Sequence, residues 1–290
     1  MARVVYERDG RIGRVTLNRP DVLNAIDDAL PGELEAAVVA AGSDDRVHVI
    51  ILSGAGKGFC AGYDLAYYAE AAEGAGAAMT QDMPWDPMKD YGFMMRNTQA
   101  FMSLWRCRIP VLAKVHGFAV AGGSDIALCA DMIVMGEEAR IGYMPTRVWG
   151  CPTTAMWVYR LGPEKAKRML FTGDTVTGLE AEELGLVLKA VPEAALDDYV
   201  EGLAERIAGV PINQLTMQKL VVNQAIEAMG LHQTQMFATL FDGITRHSPE
   251  GLNFKARAEA VGWKQAVRER DLGTFDWTRN RPINTVTDHD

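Results

Sequence analysis

The chain has 290 residues, of which 48% are hydrophobic and 23% charged, as in an ordinary globular protein rather than a disordered or fibrous one. Its 29 Lys and Arg against 38 Asp and Glu give a net charge of −9 without a basic cluster, so nucleic acid is not expected as a partner. No apolar run is long enough to predict a membrane span. The N-terminal residues do not resemble a signal peptide and the four cysteines show no paired spacing, which favours reduced thiols and a cytoplasmic location.

Strand and helix patterns alternate along the N-terminal third of the chain. Residues 4–6 and 13–17 are predicted to form a hairpin around an Asp-Gly turn, and an alanine-rich amphipathic helix is predicted over residues 24–41. The β-branched run at residues 47–52 is typical of a strand that is buried on both faces. The loosely patterned stretch over residues 67–91 contains two glycines and two prolines, and we expect it to be a long mobile loop.

The rest of the chain changes from an α/β pattern to helices alone. Further strands are predicted at residues 110–115, 132–135 and 140–142, and further helices at residues 88–106, 122–130 and 163–171. Thr177 and Glu180 have the spacing of a capping box that starts another helix. We therefore predict an α/β core over residues 1–193 and a helical C-terminal region over residues 194–290.

Three short patterns are too incomplete to carry a function. The segment 54–58 (GAGKG) has its third glycine one place early for a dinucleotide fingerprint and lacks the Ser or Thr of a P-loop. The segment 122–126 (GGSDI) lacks the second glycine of a nucleophile elbow. The five histidines show no i,i+4 pair, so a catalytic metal is not expected.

Two segments with small residues form the strongest chemical signal. They are residues 58–65 (GFCAGYDL) and 117–128 (GFAVAGGSDIAL), and each follows a predicted strand. Small residues let a ligand approach the backbone, and glycines at a helix start leave N–H groups free to donate. Two such groups aimed at one point would form an oxyanion hole, in which each donor lowers a barrier by about 3–4 kcal/mol. For either segment alone, tight packing of a helix against a strand is the simpler explanation.

Several ordered motifs together resemble the crotonase family, also called the enoyl-CoA hydratase/isomerase superfamily. Residues 19–25 (RPDVLNA) are similar to its R-P-x-x-x-N-A element, and residues 59–65 (FCAGYDL) to its F-x-A-G-x-D-L segment. Residues 112–132 contain the family signature in the pieces LAKVHG, AGG and LCADM, and residues 171–187 resemble its L-T-G-x-x-x-x-A-x-x-x-G-L-V stretch. Because these motifs occur in family order between about residues 4 and 192, the match is specific.

The resemblance implies a fold, a ligand and a site. The fold would be an α/β, crotonase-like spiral of ββα units with an α-helical C-terminal region, whose helices would serve oligomerisation in a homotrimer or in a hexamer of two trimers. The ligand would be an acyl-CoA, whose coenzyme A is part of the substrate, so no separate cofactor is implied. The backbone N–H groups of Ala61 and Gly122 would form the oxyanion hole. The other residues implied for CoA binding are Leu23, Ala25, Gly62, Tyr63, Asp64 and Leu65.

The chain departs from the family at the catalytic carboxylates. Family hydratases use two glutamates, and Asp125 stands at the position of the first. At the second position, Thr146 aligns if one residue is inserted and Pro145 if none is, and a threonine is no base near pH 7 without an activating partner. Asp125 lies in the first turn of a predicted helix, whose dipole tends to lower the pKa of a carboxyl. It is a candidate base, although an acid at this position needs no catalytic role.

Other residues could complete the site. Tyr143, Arg147 and Trp149 are candidates for the acyl pocket, and Thr146 is a further candidate for substrate binding. The missing carboxylate could come from acids of the long loop, namely Asp82, Asp86 and Asp90. Solvated loop acids are the simpler explanation of these three. The leading hypothesis is an enoyl-CoA hydratase-like lyase. The alternatives are another enolate reaction, such as isomerisation, C–C cleavage or thioester hydrolysis, and a non-catalytic acyl-CoA binding protein.

Overall fold

The computed structural model describes residues 2–69, 81 and 83–283. Its strands are β1 (Val4–Asp9), β2 (Ile12–Leu17), β3 (Val49–Gly54), β4 (Val111–Val115), β5 (Phe118–Val120), β6 (Met132–Gly136), β7 (Arg140–Gly142), β8 (Thr175–Thr177), β9 (Lys189–Val191), β10 (Phe275–Asp276) and β11 (Arg281–Pro282). Its α-helices are α1 (Leu30–Ser43), α2 (Leu65–Tyr68), α3 (Pro87–Phe101), α4 (Ser103–Arg106), α5 (Gly122–Leu128), α6 (Met156–Thr172), α7 (Gly178–Leu184), α8 (Leu196–Ala208), α9 (Ile212–Ala228), α10 (Leu231–His247), α11 (Pro249–Val261) and α12 (Trp263–Leu272). Among these described helices, none combines the length and the apolar character needed to cross a membrane.

Two sheets and the helices between them form the ββα repeat. The larger sheet has the strand order β1-β2-β3-β4-β6-β9, and the smaller one has the order β5-β7-β8. In the larger sheet β1 pairs antiparallel with β2, and the other described pairs are parallel. The chain passes through β4 of the larger sheet and β5 of the smaller one into α5, and β6, β7 and α6 repeat this path. The predicted α/β spiral with a helical C-terminal region is confirmed.

Strand β3 is buried on both faces, as its β-branched sequence predicts. Ile50 and Leu52 belong to the main hydrophobic cluster, whereas Val49 and Ile51 pack in a second cluster together with α8. These four side chains are at most 4% exposed, and burying each contributes about 1.5–3 kcal/mol. Because α8 covers one face of the sheet, the first helix beyond residue 193 is a layer of the core.

Helix α1 starts six residues later than predicted. It begins at Leu30 instead of residue 24, because Leu23 and Asn24 have φ angles of 57° and 55°, which a right-handed helix cannot contain. Asp27 instead accepts a hydrogen bond from the N–H of Leu30 at 3.0 Å. The residues in between are therefore free to form a loop, and this loop reaches the site described below.

Helix α6 is longer than predicted, and the predicted long loop is shorter. The predicted helix over residues 163–171 is the second half of α6, which starts at Met156 and is kinked at Gly162 (φ 72°), just before Pro163.

In the predicted loop over residues 67–91, α2 includes Tyr67 and α3 starts at Pro87. Residues 70–80 and 82 of that prediction lie outside the described residues.

One buried lysine attaches α9 to the core. Lys219 is 8% exposed, and its Nζ donates to the carbonyl oxygens of Leu104 (3.0 Å) and Ile109 (3.1 Å) and to the carboxylate of Asp131 (2.7 Å). Three acceptors match the three donors of an ammonium group, and the carboxylate balances its charge. The helix is therefore held by directional bonds as well as by apolar packing.

Asn24 ties the loop before α1 to the turn after β3. It is fully buried, and its Oδ1 accepts the N–H of Arg19 at 2.8 Å. Its Nδ2 faces the carbonyl oxygens of Ala55 (2.8 Å), Gly58 (3.0 Å) and Phe59 (3.1 Å). Asparagine also tolerates the left-handed backbone found here better than most residues. One side chain thus fixes two segments that are distant in sequence.

Replacing Asn24 should loosen both segments at once. Asn24→Ala removes these hydrogen bonds and leaves buried carbonyls unpaired, so the free energy of unfolding should fall by about 2–4 kcal/mol. Urea denaturation measures the change. Asn18→Ala is the matched control, because Asn18 makes one exposed hydrogen bond to the carbonyl of Ala2. Its effect should stay within about 0.5 kcal/mol. Equal effects of the two variants would contradict the role given to Asn24.

Candidate active site

The loop before α1, the segment after β3, the start of α5 and the helices α10 and α12 enclose a cavity of about 400 Å³. Nine residues singled out from the sequence line it: Leu23, Ala25, Ala61, Tyr63, Asp64, Leu65, Gly122, Tyr143 and Trp149. Three others that the structure also describes, Gly62, Asp125 and Thr146, are not part of the wall. The structure therefore gathers most of the predicted site around one cavity.

The two glycine-containing segments lie side by side at this cavity. Cys60 and Ala119 form a parallel bridge, in which the N–H of Val120 donates to the carbonyl of Cys60 at 3.0 Å. Gly62 has a φ of 92°, and a Cβ on it would lie 2.7 Å from the Cβ of Ala121 and 3.2 Å from the backbone N of Gly122. Backbone this close requires glycine. The segments are thus in contact next to the two predicted oxyanion donors.

The N–H groups of Ala61 and Gly122 differ in their present partners. Gly122 is the first residue of α5, so its N–H has no acceptor within the helix. The preceding residue, Ala121, has the unusual angles φ 51° and ψ −128°, which set the direction of this N–H. The N–H of Ala61, in contrast, donates to the carbonyl of Leu23 at 3.1 Å. An incoming oxygen would have to replace or share that acceptor.

Asp125 is buried behind the wall and is not one of the residues that line the cavity. It is 2% exposed, and its Oδ1 accepts a hydrogen bond from the Thr154 hydroxyl at 2.6 Å. Burial, reinforced by the charge of Asp242, raises the pKa of Asp125 to about 8. The expected lowering by the helix dipole is therefore wrong, because the loss of water around a carboxylate outweighs the field of a seven-residue helix.

The stretch after β7 faces the cavity with different residues than the gapped alignment suggests. The Thr146 hydroxyl donates to the carbonyl of Leu170 in α6 at 2.6 Å, whereas Pro145, the ungapped alternative, lines the cavity. Tyr143 and Trp149 both line the cavity and are about 6% exposed. The wall residues from this described stretch are Tyr143, Met144, Pro145 and Trp149, and none of them has a carboxylate.

The two described acids of the predicted loop, Asp86 and Asp90, have structural partners. Asp86 caps α3, because its side chain accepts the N–H groups of Met88 and Lys89. Asp90 is fully buried and pairs with Arg246 of α10. Asp82 lies outside the described residues. Across the part of the chain that the structure describes, no three His, Cys, Asp or Glu side chains come together so as to hold a metal ion.

Two helices of the C-terminal region supply wall residues that the sequence analysis did not identify. Asp242 of α10 lines the cavity and is 4% exposed. Gln235 and Arg246 are also buried on α10. Polar residues at this helical spacing are the sequence pattern that could have indicated a polar, inward-facing side of the helix. The wall residues from α12 are Trp263, Lys264, Val267 and Arg270. Of these, Lys264 is an exposed cation at the rim.

The sequence matches the model of one family, described as enoyl-CoA hydratase/isomerase, over residues 7–265. The chain belongs to the enoyl-CoA hydratase/isomerase family. It is 31% identical to a probable mitochondrial enoyl-CoA hydratase of Dictyostelium discoideum over 264 residues, which cover 89% of each protein. Family membership supports an enzyme that acts on CoA thioesters.

Solved structures place the whole chain in the same fold. An enoyl-CoA hydratase from Mycobacterium smegmatis is 47% identical, with a TM-score of 0.87 and 96% of each chain covered. An enoyl-CoA hydratase/isomerase from Xanthobacter autotrophicus Py2 is 28% identical, with a TM-score of 0.83 and coverage of 93% of this chain and 98% of that one. Because coverage is nearly complete in both, the likeness includes the C-terminal helices that line the cavity.

Asp125→Asn should stabilise the protein increasingly as the pH rises. Asp125 ionises near pH 4 in the unfolded chain and at about 8 in the folded one, so the folded state binds one more proton between these values. The wild type therefore loses stability as the pH rises through this range. Asparagine keeps an acceptor for the Thr154 hydroxyl and does not titrate. The free energy of unfolding of the variant should therefore exceed that of the wild type by on the order of a few kcal/mol near pH 8. Urea denaturation of both proteins at about pH 5.5 and 8 measures this difference, and a difference that does not change with pH would contradict the raised pKa.

Proposed function

We propose that this protein is an enoyl-CoA hydratase, a lyase that adds water across the α,β double bond of an enoyl-CoA thioester. The proposal rests on one observation above all: the backbone of Ala61 and Gly122 meets at the wall of a single cavity. Family membership supports the same reaction class. Hydration creates an enolate whose negative charge develops on the thioester oxygen. Two backbone N–H groups at that oxygen would stabilise the enolate more than the neutral carbonyl.

The cavity has the character that an acyl-CoA needs. Its inner wall is largely apolar, with Leu65, Met94, Tyr143, Trp149 and Val267 available to an acyl chain. The rim contains the exposed cation Lys264, which suits the phosphates of coenzyme A. A cavity with apolar walls and few polar groups is the common form of a small-molecule site. The acyl group would therefore lie inside, with the CoA part extending to the rim.

The proposed enzyme needs no cofactor beyond the CoA carried by its substrate, and its thiols take no part. All four cysteines are free. Burial raises the pKa of Cys60 to about 12 and that of Cys151, which lies near Asp242, to about 12 as well. Such thiols stay protonated near pH 7 and are poor nucleophiles. Free, unreactive cysteines also support a cytoplasmic location.

The oxyanion assignment can be tested at Gly122 with a matched pair of variants. Both Gly122→Ala and Gly122→Pro add a Cβ, which would lie 2.8 Å from Cδ1 of Ile26 and 3.1 Å from the Tyr63 ring, so both disturb packing. Only proline also removes the N–H. Hydration of crotonyl-CoA by Gly122→Pro should therefore be slower than by Gly122→Ala by about 10²–10³-fold.

Steady-state loss of enoyl-CoA absorbance measures these rates, and circular dichroism checks that both variants are folded. Equal rates for the two variants would remove Gly122 from the oxyanion hole. A wild type that binds acyl-CoA but turns over no enoyl-CoA from short to long chains would overturn the proposed hydratase and favour a non-catalytic binding protein.

We further propose that the protein assembles as a homotrimer or as a hexamer of two trimers. Helices α9 and α10 and the turn between them expose large apolar side chains that the described part of the chain does not cover. The most exposed are Leu220 (60%), Val221 (70%), Val222 (62%), Met229 (67%), Phe237 (63%) and Phe241 (51%). A helical surface with this many exposed apolar side chains is typical of a subunit interface. These helices would then carry the oligomerisation proposed for the C-terminal region.

Charge placed on this face should break the assembly. Sedimentation at micromolar concentration is expected to give a trimer or hexamer for the wild type, and a smaller species for the double variant Val221→Glu/Phe237→Glu. Val39→Glu is the matched control, because Val39 is an exposed apolar residue (57%) of α1 and should leave the assembly intact. A wild-type monomer of 31.7 kDa would refute the proposal.

A further inference from the structure

A buried cluster of charges behind the cavity plays no part in the function proposed so far. It consists of Asp90 from α3 and of Asp242 and Arg246 from α10, all at most 4% exposed. The guanidinium of Arg246 contacts one oxygen of each carboxylate. The indole N–H of Trp85 donates to the second oxygen of Asp90 at 3.1 Å. Asp90 therefore has its partners inside the protein and is not one of the residues that line the cavity.

Two carboxylates of the described cluster share one guanidinium. His247 lies 3.5 Å from Asp90, and burial lowers the pKa of this histidine. Burial also raises the pKa of Asp90 to about 6. A single Asp–Arg pair would fix α10 to α3 equally well. Buried charged groups are costly unless they are paired, and they occur preferentially at functional sites.

Asp242 is the member of the cluster that reaches the cavity. Among the described residues, the wall has three carboxylates, of which Asp21 is exposed and Asp64 pairs with Arg19 at 3.2 Å. Asp242 alone of these three is buried. Its Oδ1 accepts the N–H of Cys151 at 2.9 Å, which fixes the direction of the carboxylate. A preorganised carboxylate at an apolar wall is the environment in which proton transfer is efficient.

Asp242 also lies on the side of the cavity where the reaction is proposed to occur. Its carboxylate accepts the N–H of Cys151. Thr154, three residues after Cys151, donates to Asp125. Asp125 in turn lies three residues after Gly122. Gln235, two turns before Asp242 in α10, also donates to the carbonyl of Thr154 at 3.0 Å. These bonds hold α10 against the segment that contacts α5. The carboxylate and the start of α5 are therefore close neighbours around the same part of the wall.

We propose that Asp242 is the catalytic carboxylate that moves the proton during hydration, in place of the glutamate that is absent after β7. This assignment rests on the proposed hydratase function. Asp242 would take a proton from water while the water oxygen bonds to Cβ and the double-bond electrons move onto the thioester as an enolate. The proton would then pass from Asp242 to Cα as the enolate returns its electrons, so that one water is added and the carboxylate is regenerated.

The decisive variant is Asp242→Asn, with Asp90→Asn as its matched control. Each variant removes one of the two carboxylates that contact Arg246 and leaves the other as its counter-ion. In Asp242→Asn, the asparagine side chain keeps an acceptor for the N–H of Cys151. Asp242→Asn should lower kcat for crotonyl-CoA by about 10²–10⁴-fold. Its Kd for butyryl-CoA, which cannot be hydrated, should stay within about threefold by calorimetry. Asp90→Asn should keep kcat within about tenfold. Thermal denaturation should show both variants folded.

If Asp242→Asn does not fold, Asp242→Ala with added sodium formate replaces it. Formate can enter the space left by the side chain, and it should restore turnover without changing the melting temperature. Equal losses of kcat in Asp242→Asn and Asp90→Asn, an active Asp242→Asn, or no rescue of a folded Asp242→Ala would each overturn the assignment while the hydratase function stands. A wild type that hydrates no enoyl-CoA would overturn the function and the assignment with it.

Discussion

The site depends on the close contact between two backbone segments, residues 58–62 and 117–123. Gly123 allows this contact, because a Cβ on it would lie 2.3 Å from the carbonyl oxygen of Cys60, and Gly117 does the same at the carbonyl of Lys57. With no side chain between them, the segments pair at Cys60 and Ala119 and bring Ala61 next to Gly122. The tight packing that the glycines suggest and the proposed oxyanion hole would therefore both follow from one contact.

Most of the fold and about half of the site chemistry could be predicted from the sequence. The buried strand β3 and the hairpin follow from local patterns, because side-chain alternation and turn residues act over short distances. The start of α1 was missed, since Asn24 has its partners at residues 55–59, far from any helix signal. The direction of the Asp125 pKa shift was missed for a related reason. The helix dipole at Asp125 is a local effect, but the burial of Asp125 depends on Thr154 and on α10, which no local pattern reveals.

The C-terminal helices have more than one structural role. α8 completes the hydrophobic core, α9 is attached to it through Lys219, and α10 and α12 form part of the cavity wall. The boundary near residue 193 is predicted from the change from alternating strands and helices to helices alone, and such a pattern reports the type of element and not its contacts. The polar residues Gln235 and Arg246 indicate that Asp242 faces inward, but they do not show that this side of α10 borders a cavity.

The bond from the N–H of Ala61 to the carbonyl of Leu23 gives this donor an acceptor within the protein. In the proposed reaction, a neutral thioester oxygen that displaced Leu23 would exchange one carbonyl acceptor for another, so this donor would add little to the affinity for substrate. An enolate oxygen carries charge and would form the stronger bond of a charged acceptor. Under the proposed function, the exchange would therefore favour the intermediate over the ground state, and the left-handed turn at Leu23 would help to reserve this donor for the reacting species.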